Sequence, residues 1–207
     1  MSKKLLNTAE SCVPEAIEGL LATTSDLKKV EGFNVVVRAD IETHRAAHVT
    51  LISGGGSGHE PAHAGFIGHG MLSGAALGNV FASPSVATIM ACLRTCASPK
   101  GVLVIVKNYT GDRLNFGMAI AKAAAEGIDA RMVIVEDDCA LPPGKGITGG
   151  RGVAGTVFIH KIAGALAERG GTLAEVYAAA SYASTHIATM GVALSPCTLP
   201  GAAAASA

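Results

Sequence analysis

Residues 101–106, Gly-Val-Leu-Val-Ile-Val, contain no polar side chain. A strand with one face in water alternates polar and apolar residues, whereas an unbroken apolar run of this length is buried on both faces. Such a strand needs a sheet with helices on either side. Other segments fit that plan. Asn34-Val-Val-Val-Arg38, 48–52 and 131–135 are β-branched or apolar runs of strand length. Val13, Ile17, Leu20 and Leu21 recur at helical spacing within 10–22. Further helices are expected over 61–67, from Ser83 as N-cap through about Thr95, and over 113–126. Two more, 154–169 and 173–189, are split by Gly170-Gly171, and a short late strand is expected at 191–194. Strands alternating with helices predict an α/β fold: a layered helix–sheet–helix domain with a mainly parallel sheet. Residues 1–190 read as one α/β subdomain. Residues 191–207 read as the first strand and the start of a second, with a low-complexity tail expected to fray.

Composition narrows the function. Sixteen basic residues balance sixteen acidic ones, so no field favours nucleic acid or an anionic membrane. No apolar run is long enough to span a bilayer. The N-terminus has no sustained apolar core like that of a secretory signal. Cys12, Cys92, Cys96, Cys139 and Cys197 are scattered and odd in number, which suits free thiols in a reducing, cytoplasmic setting. Cys92 and Cys96 lie four apart but lack a second Cys/His pair at metal spacing, so no metal site is expected there. Cys197 has no identifiable base and reads as packing rather than nucleophile.

Ligands of open parallel sheets bind at the carboxyl ends of strands. Three segments qualify: 53–60, 107–112 and 136–151. The first, Ser53-Gly-Gly-Gly-Ser-Gly-His-Glu60, has four glycines in six residues and then a histidine. Glycine lets backbone approach a small ligand, and His59 supplies a proton-transfer group. A P-loop would need a lysine after Gly58, and none follows. The Gly-x-Gly-x-x-Gly dinucleotide pattern also fails, with His59 or Pro61 at its sixth position. A dehydrogenase reading is therefore weakly supported, and a tight turn without ligand stays open. The second segment, Lys107-Asn-Tyr-Thr-Gly-Asp112, ends the most apolar strand, which is a rigid platform. Asp112 could serve as base or simply cap the next helix. Among the remaining histidines, His63 and His69 are expected on or after the short helix, and His44 and His48 around a surface turn. His160 and His186 are expected on helices, satisfied or exposed. His59 is the candidate.

The stretches 53–61, Val-Phe-Ala-Ser-Pro (80–84), Val-Lys-Asn-Tyr-Thr-Gly-Asp-Arg-Leu-Asn-Phe (106–116) and Gly-Val-Ala-Gly-Thr-Val (152–157) resemble the dihydroxyacetone kinase family, in its substrate-binding K part. The likeness runs over nearly the whole chain and is nearest to the ATP-dependent, single-chain kinases, including triokinase/FMN cyclase. It implies that dihydroxyacetone or glyceraldehyde is held by Gly56, Ser57, Gly58, His59, Lys107 and Asp112, with Phe81 and Ser83 lining the pocket. His59 and Asp112 would be the catalytic pair at the hydroxyl that is phosphorylated. ATP and magnesium would bind on a separate L domain, and the full-length parent would be a homodimer. Relatives carry a further histidine, which binds the ketone covalently, beyond a point matching Ala207. They also often have Gly-Arg-Arg where this chain has Gly149-Gly150-Arg151. The chain is thus expected to be a truncated K part, binding triose weakly and inactive alone. The alternative reading is a non-catalytic triose-binding or regulatory module, since bacterial relatives of the K part can serve as sensors.

Overall fold

The computed structural model describes residues 5–140 and 149–201. A six-stranded sheet runs in the order β1(Leu27–Lys29), β2(Val35–Arg38), β4(Gly74–Val80), β3(Thr50–Ser57), β5(Val102–Lys107), β6(Ala130–Val135). The pairings β4–β3, β3–β5 and β5–β6 are parallel, while β1–β2 and β2–β4 are antiparallel. The expected mainly parallel α/β sheet is present, with an antiparallel edge.

β5 lies between two helical layers, as its apolar run requires. Val102, Val104 and Val106 face a cluster containing Ile89, Leu93 and Phe116, from α3(Val86–Cys96) and α4(Thr110–Ala125). Leu103 and Ile105 face the opposite cluster with Ile159, Ala163 and Val176, from α5(Thr156–Glu168) and α6(Leu173–Ser184). The third cluster packs α1(Cys12–Thr23) on Val36, Ala75 and Leu77 through Val13 and Ile17. α6 starts on a capping box, with Thr172 and Glu175 each bonding the other's backbone N–H.

Several expectations need correction. Residues 53–57 form the second half of β3 rather than a loop. Gly54 explains why: a Cβ there would overlap the Ala76 carbonyl oxygen on β4 and touch the Phe116 ring. The glycines let strand and helix close onto one another. Gly54→Ala is expected to lower stability by about 3 kcal/mol, the upper end of overpacking effects, read as a lower urea midpoint at unchanged slope. The expected helix 61–67 is only a 3-10 turn, Ala64–Phe66, because Gly65, Gly68 and Gly70 disfavour continuation. Ser85, not Ser83, caps α3, accepting from the Thr88 N–H at 3.1 Å. β4 escapes an alternation search because its residues 74–78 are buried and small. The helix α2(Ile41–Ala47) buries His44 and replaces the expected surface turn. No strand forms at 191–194: Val192 and Leu194 are almost fully exposed, and no strand among the described residues lies alongside to pair with them. Residues 202–207 of the tail and 141–148 of the third segment lie outside the described residues.

Candidate active site

β3 and β5 end beside each other, and Lys107 and the segment after β3 face the start of α5. A cavity of about 330 Å³ lies there, lined by His59, His63, Lys107, Tyr109, Thr156 and His160 among others. His59 and Lys107 share this cavity. Asp112 sits behind it, in the first turn of α4, where a carboxylate suits the helix N-terminus. The structure does not use Asp112 as a cap; the helix already begins at Thr110.

The proton positions follow from the hydrogen bonds. Ser53 donates its one hydroxyl proton to the Ile105 carbonyl at 2.7 Å. His63 Nδ1, 3.2 Å from Ser53 Oγ, must therefore be the donor in that pair. This leaves Nε2 as a buried lone pair, and no group among the described residues bonds it. Burial, with the nearby His160 and Lys107, pushes the His63 pKa well down, so the ring is neutral. Asp112 Oδ1 is a second buried acceptor without a partner. The point that a Gly55 Cβ would occupy is 3.4 Å from His63 Nε2 and 3.9 Å from Asp112 Oδ1. Two acceptors thus flank the same bare stretch of β3. His59 Nδ1 lies 3.1 Å from the Gly56 carbonyl and donates to it.

Electrostatics reinforces this arrangement. Burial raises the Asp112 pKa; a hydrogen bond from Ser83 and the positive charge of Lys107 oppose the rise. Burial lowers the Lys107 pKa, against the pull of Asp112 and Asp137. Each group moves toward the range useful for proton transfer. Lys107 Nζ also lies 5.6 Å from the Tyr109 ring centre.

The other sequence candidates are placed less directly. Phe81, with a positive φ of 55°, sets its ring edge-on to His59 at 5.1 Å. Ser83 reaches Asp112 rather than the cavity wall. The Ser57 hydroxyl donates to Gly78 at 2.8 Å, and the Gly58 N–H donates to Glu60 at 3.0 Å, so neither donor is spare. Arg151 pairs with Asp138 at 2.7 Å. Sequence reasoning missed His63, Thr156 and His160. His160 was expected to be satisfied or exposed. Instead it is buried with both ring nitrogens unpartnered, and burial lowers its pKa to about 3. The usable signal was proximity to motifs: Thr156 lies inside 152–157, and His63 follows 53–61 by two residues.

The fold and site define an α/β domain that closes a small, largely apolar pocket, carrying a few titratable groups, at the carboxyl ends of parallel strands. Residues 18–207 match the Dak1 domain, and the chain belongs to that family. It is 53% identical to mouse (Mus musculus) triokinase/FMN cyclase over 97% of its length, covering 35% of that protein. It also superposes on the native dihydroxyacetone kinase of C. freundii with a TM-score of 0.92 at 46% identity, over 100% of this chain and 38% of that one. The dihydroxyacetone kinase operon co-activator Dha-DhaQ matches with a TM-score of 0.74 at 39% identity, over 79% of this chain and 50% of that one. The chain therefore spans about a third of the length of the single-chain kinases it matches, and 60% of a Listeria innocua dihydroxyacetone-binding subunit DhaK. Those relatives include kinases, and the C. freundii enzyme has also been solved with AMP-PNP and Mg2+.

Proposed function

We propose that this domain is the substrate-binding part of a dihydroxyacetone (glycerone) kinase. It holds a triose so that one hydroxyl can receive phosphate. The observation that carries the reading is the pair of unpartnered acceptors, His63 Nε2 and Asp112 Oδ1, beside one glycine stretch and next to the Lys107 ammonium. Buried acceptors without donors call for a ligand with more than one hydroxyl, and an ammonium suits a carbonyl oxygen. Dihydroxyacetone and glyceraldehyde both carry two hydroxyls and one carbonyl.

Asp112, less acidic than a surface aspartate, takes the proton of the reacting hydroxyl. Ser83 holds the carboxylate in place, and Lys107 draws on the carbonyl oxygen. His59 Nε2 accepts from a hydroxyl at the cavity mouth, and Phe81 fixes the imidazole plane. Gly56, Ser57 and Gly58 act chiefly by shape, because their bulk or donors are already committed.

ATP and magnesium supply the phosphoryl group and its charge neutralisation, on a separate L domain. The described residues at the β3 turn do not fit a nucleotide: the glycines are sheet residues and no lysine follows them. In this reading residues 1–190 form one subdomain and 191–207 lead into another, and the full-length parent works in the cytoplasm as a homodimer. The 207-residue polypeptide alone is expected to bind weakly and not turn over, since few ligand atoms contribute to affinity.

Titration of the labelled protein with millimolar dihydroxyacetone tests the site by NMR. Shifts are expected at 55–59 and 107–112, and Lys107→Met should weaken them about tenfold. Shifts scattered elsewhere, or none, would oppose the reading. The likeness to Dha-DhaQ favours one second reading, a triose-responsive regulatory module. Binding without phosphoryl transfer, once the rest of the parent protein and ATP are present, would select it.

A further inference from the structure

A second constellation lies at the other end of the sheet. His44 is on α2, His48 follows that helix, and Glu168 ends α5. His48 precedes β3 and Ser73 precedes β4, so this is where the parallel strands begin rather than where the candidate site lies. One ligand atom from each of His44, His48 and Glu168 lies within 4.8 Å of the others. His69 Nε2 is 3.4 Å from Glu168 Oε1, and His44 Nδ1 is 3.9 Å from the same oxygen.

The remaining atoms of these side chains are tied back. Ser73 Oγ, which accepts from the Leu51 N–H at 3.1 Å, lies 3.2 Å from His44 Nε2 and keeps a second lone pair that takes the imidazole proton in the tautomer with Nδ1 free for an ion. The Ala167 carbonyl, 3.1 Å from His48 Nδ1, takes that proton and leaves Nε2. Glu168 Oε2 accepts from the Gly70 N–H and from Arg38, both at 3.1 Å, which leaves Oε1 facing the imidazoles. Metal-binding histidines almost always donate their second ring nitrogen to an outer partner, and bound carboxylates are themselves hydrogen-bonded. The C-terminus of α5, with its negative dipole end, adjoins the cluster. Arg38 opposes a cation, but Asp40 grips it at 2.8 and 2.9 Å and offsets its charge.

We propose that His44, His48 and Glu168 bind a zinc ion, with His69 swinging in as the fourth ligand. Imidazole nitrogens with one carboxylate oxygen suit zinc better than magnesium or calcium. His69 is well exposed and its Nε2 already lies 3.4 Å from Glu168 Oε1. The ion would fasten α2 and the turn before β4 to the end of α5. It is independent of triose binding.

The test adds Zn2+ or Co2+ to metal-free protein with its exposed thiols, Cys139 and Cys197, alkylated under native conditions. One equivalent of zinc is expected to bind and to raise the melting midpoint by several degrees. Cobalt should give tetrahedral absorption without a sulfur charge-transfer band. His48→Gln and His69→Ala, each checked for folding by circular dichroism, are expected to weaken zinc at least tenfold and abolish the midpoint shift. His44 is buried, so His44→Gln serves only if it folds; the other two variants suffice. Absent stoichiometric binding, or binding unchanged in the His48→Gln/His69→Ala double variant, overturns the proposal.

Discussion

Asp112→Asn is expected to reduce phosphoryl transfer to dihydroxyacetone by about 10²–10⁴-fold, the usual range for a general base, with a much smaller change in KM. The measurement is a steady-state assay of the proposed kinase, this domain combined with a nucleotide-binding part and ATP. The amide is nearly isosteric with the carboxylate and can still engage Ser83, so triose should still enter. What it lacks is affinity for the proton that must leave the reacting hydroxyl. It also removes the negative charge that helps keep the buried Lys107 ammonium protonated. The pH–rate profile should therefore lose its acidic limb, which in the parent reflects the raised carboxyl pKa of Asp112. A variant with unchanged kcat would remove Asp112 from the chemistry. A variant with a large KM and ordinary kcat would reduce it to a binding residue.

The second large effect is acid sensitivity. His160, with a pKa of about 3, and His63, pushed well below its ordinary value, stay neutral in the folded protein. The unfolded chain protonates both near pH 6.5. Below that pH the unfolded state binds more protons, so stability falls as pH falls; above it the contribution is complete. His160 is expected to remove about 2 kcal/mol between pH 7 and pH 5, and His63 adds a loss of the same sign. Asp112 works in the opposite sense, because its folded pKa is raised and the folded state takes up its proton first, at lower pH. Urea unfolding at the two pH values reads the sum. His160→Leu should roughly halve the loss and, by removing two unpartnered nitrogens, raise stability at pH 7 by about 1–3 kcal/mol. An unchanged slope would mean that His160 titrates in the folded protein.

The layered sheet was legible because a single run, 101–106, admits few alternatives. β4 was not, since Gly74-Ala-Ala-Leu-Gly78 lacks the β-branched signal and owes its place to tight packing between β2 and β3. The glycine stretch was read as a loop because glycine marks turns more often than sheet. Here a neighbouring carbonyl and the Phe116 ring demand the missing side chains. His59, Lys107 and Asp112 stood out through their place after predicted strands. His63 and His160 did not. One follows a turn and the other sits one turn into α5, and only the crossing of α5 over the end of the sheet brings them together.

Bare backbone along Gly54–Gly56 has a consequence for ligand choice. The floor beneath the two acceptors is ribbon paired along its length to β4, and β5 holds the strand just before it, up to Ser53, so it has little room to retreat before a bulkier guest. Under the proposed triose-binding function, a preference for three-carbon sugars over hexoses would rest on headroom left by the absent methyl of Gly55. Enlarging the menu would require remodelling the walls contributed by α5 rather than the strand below.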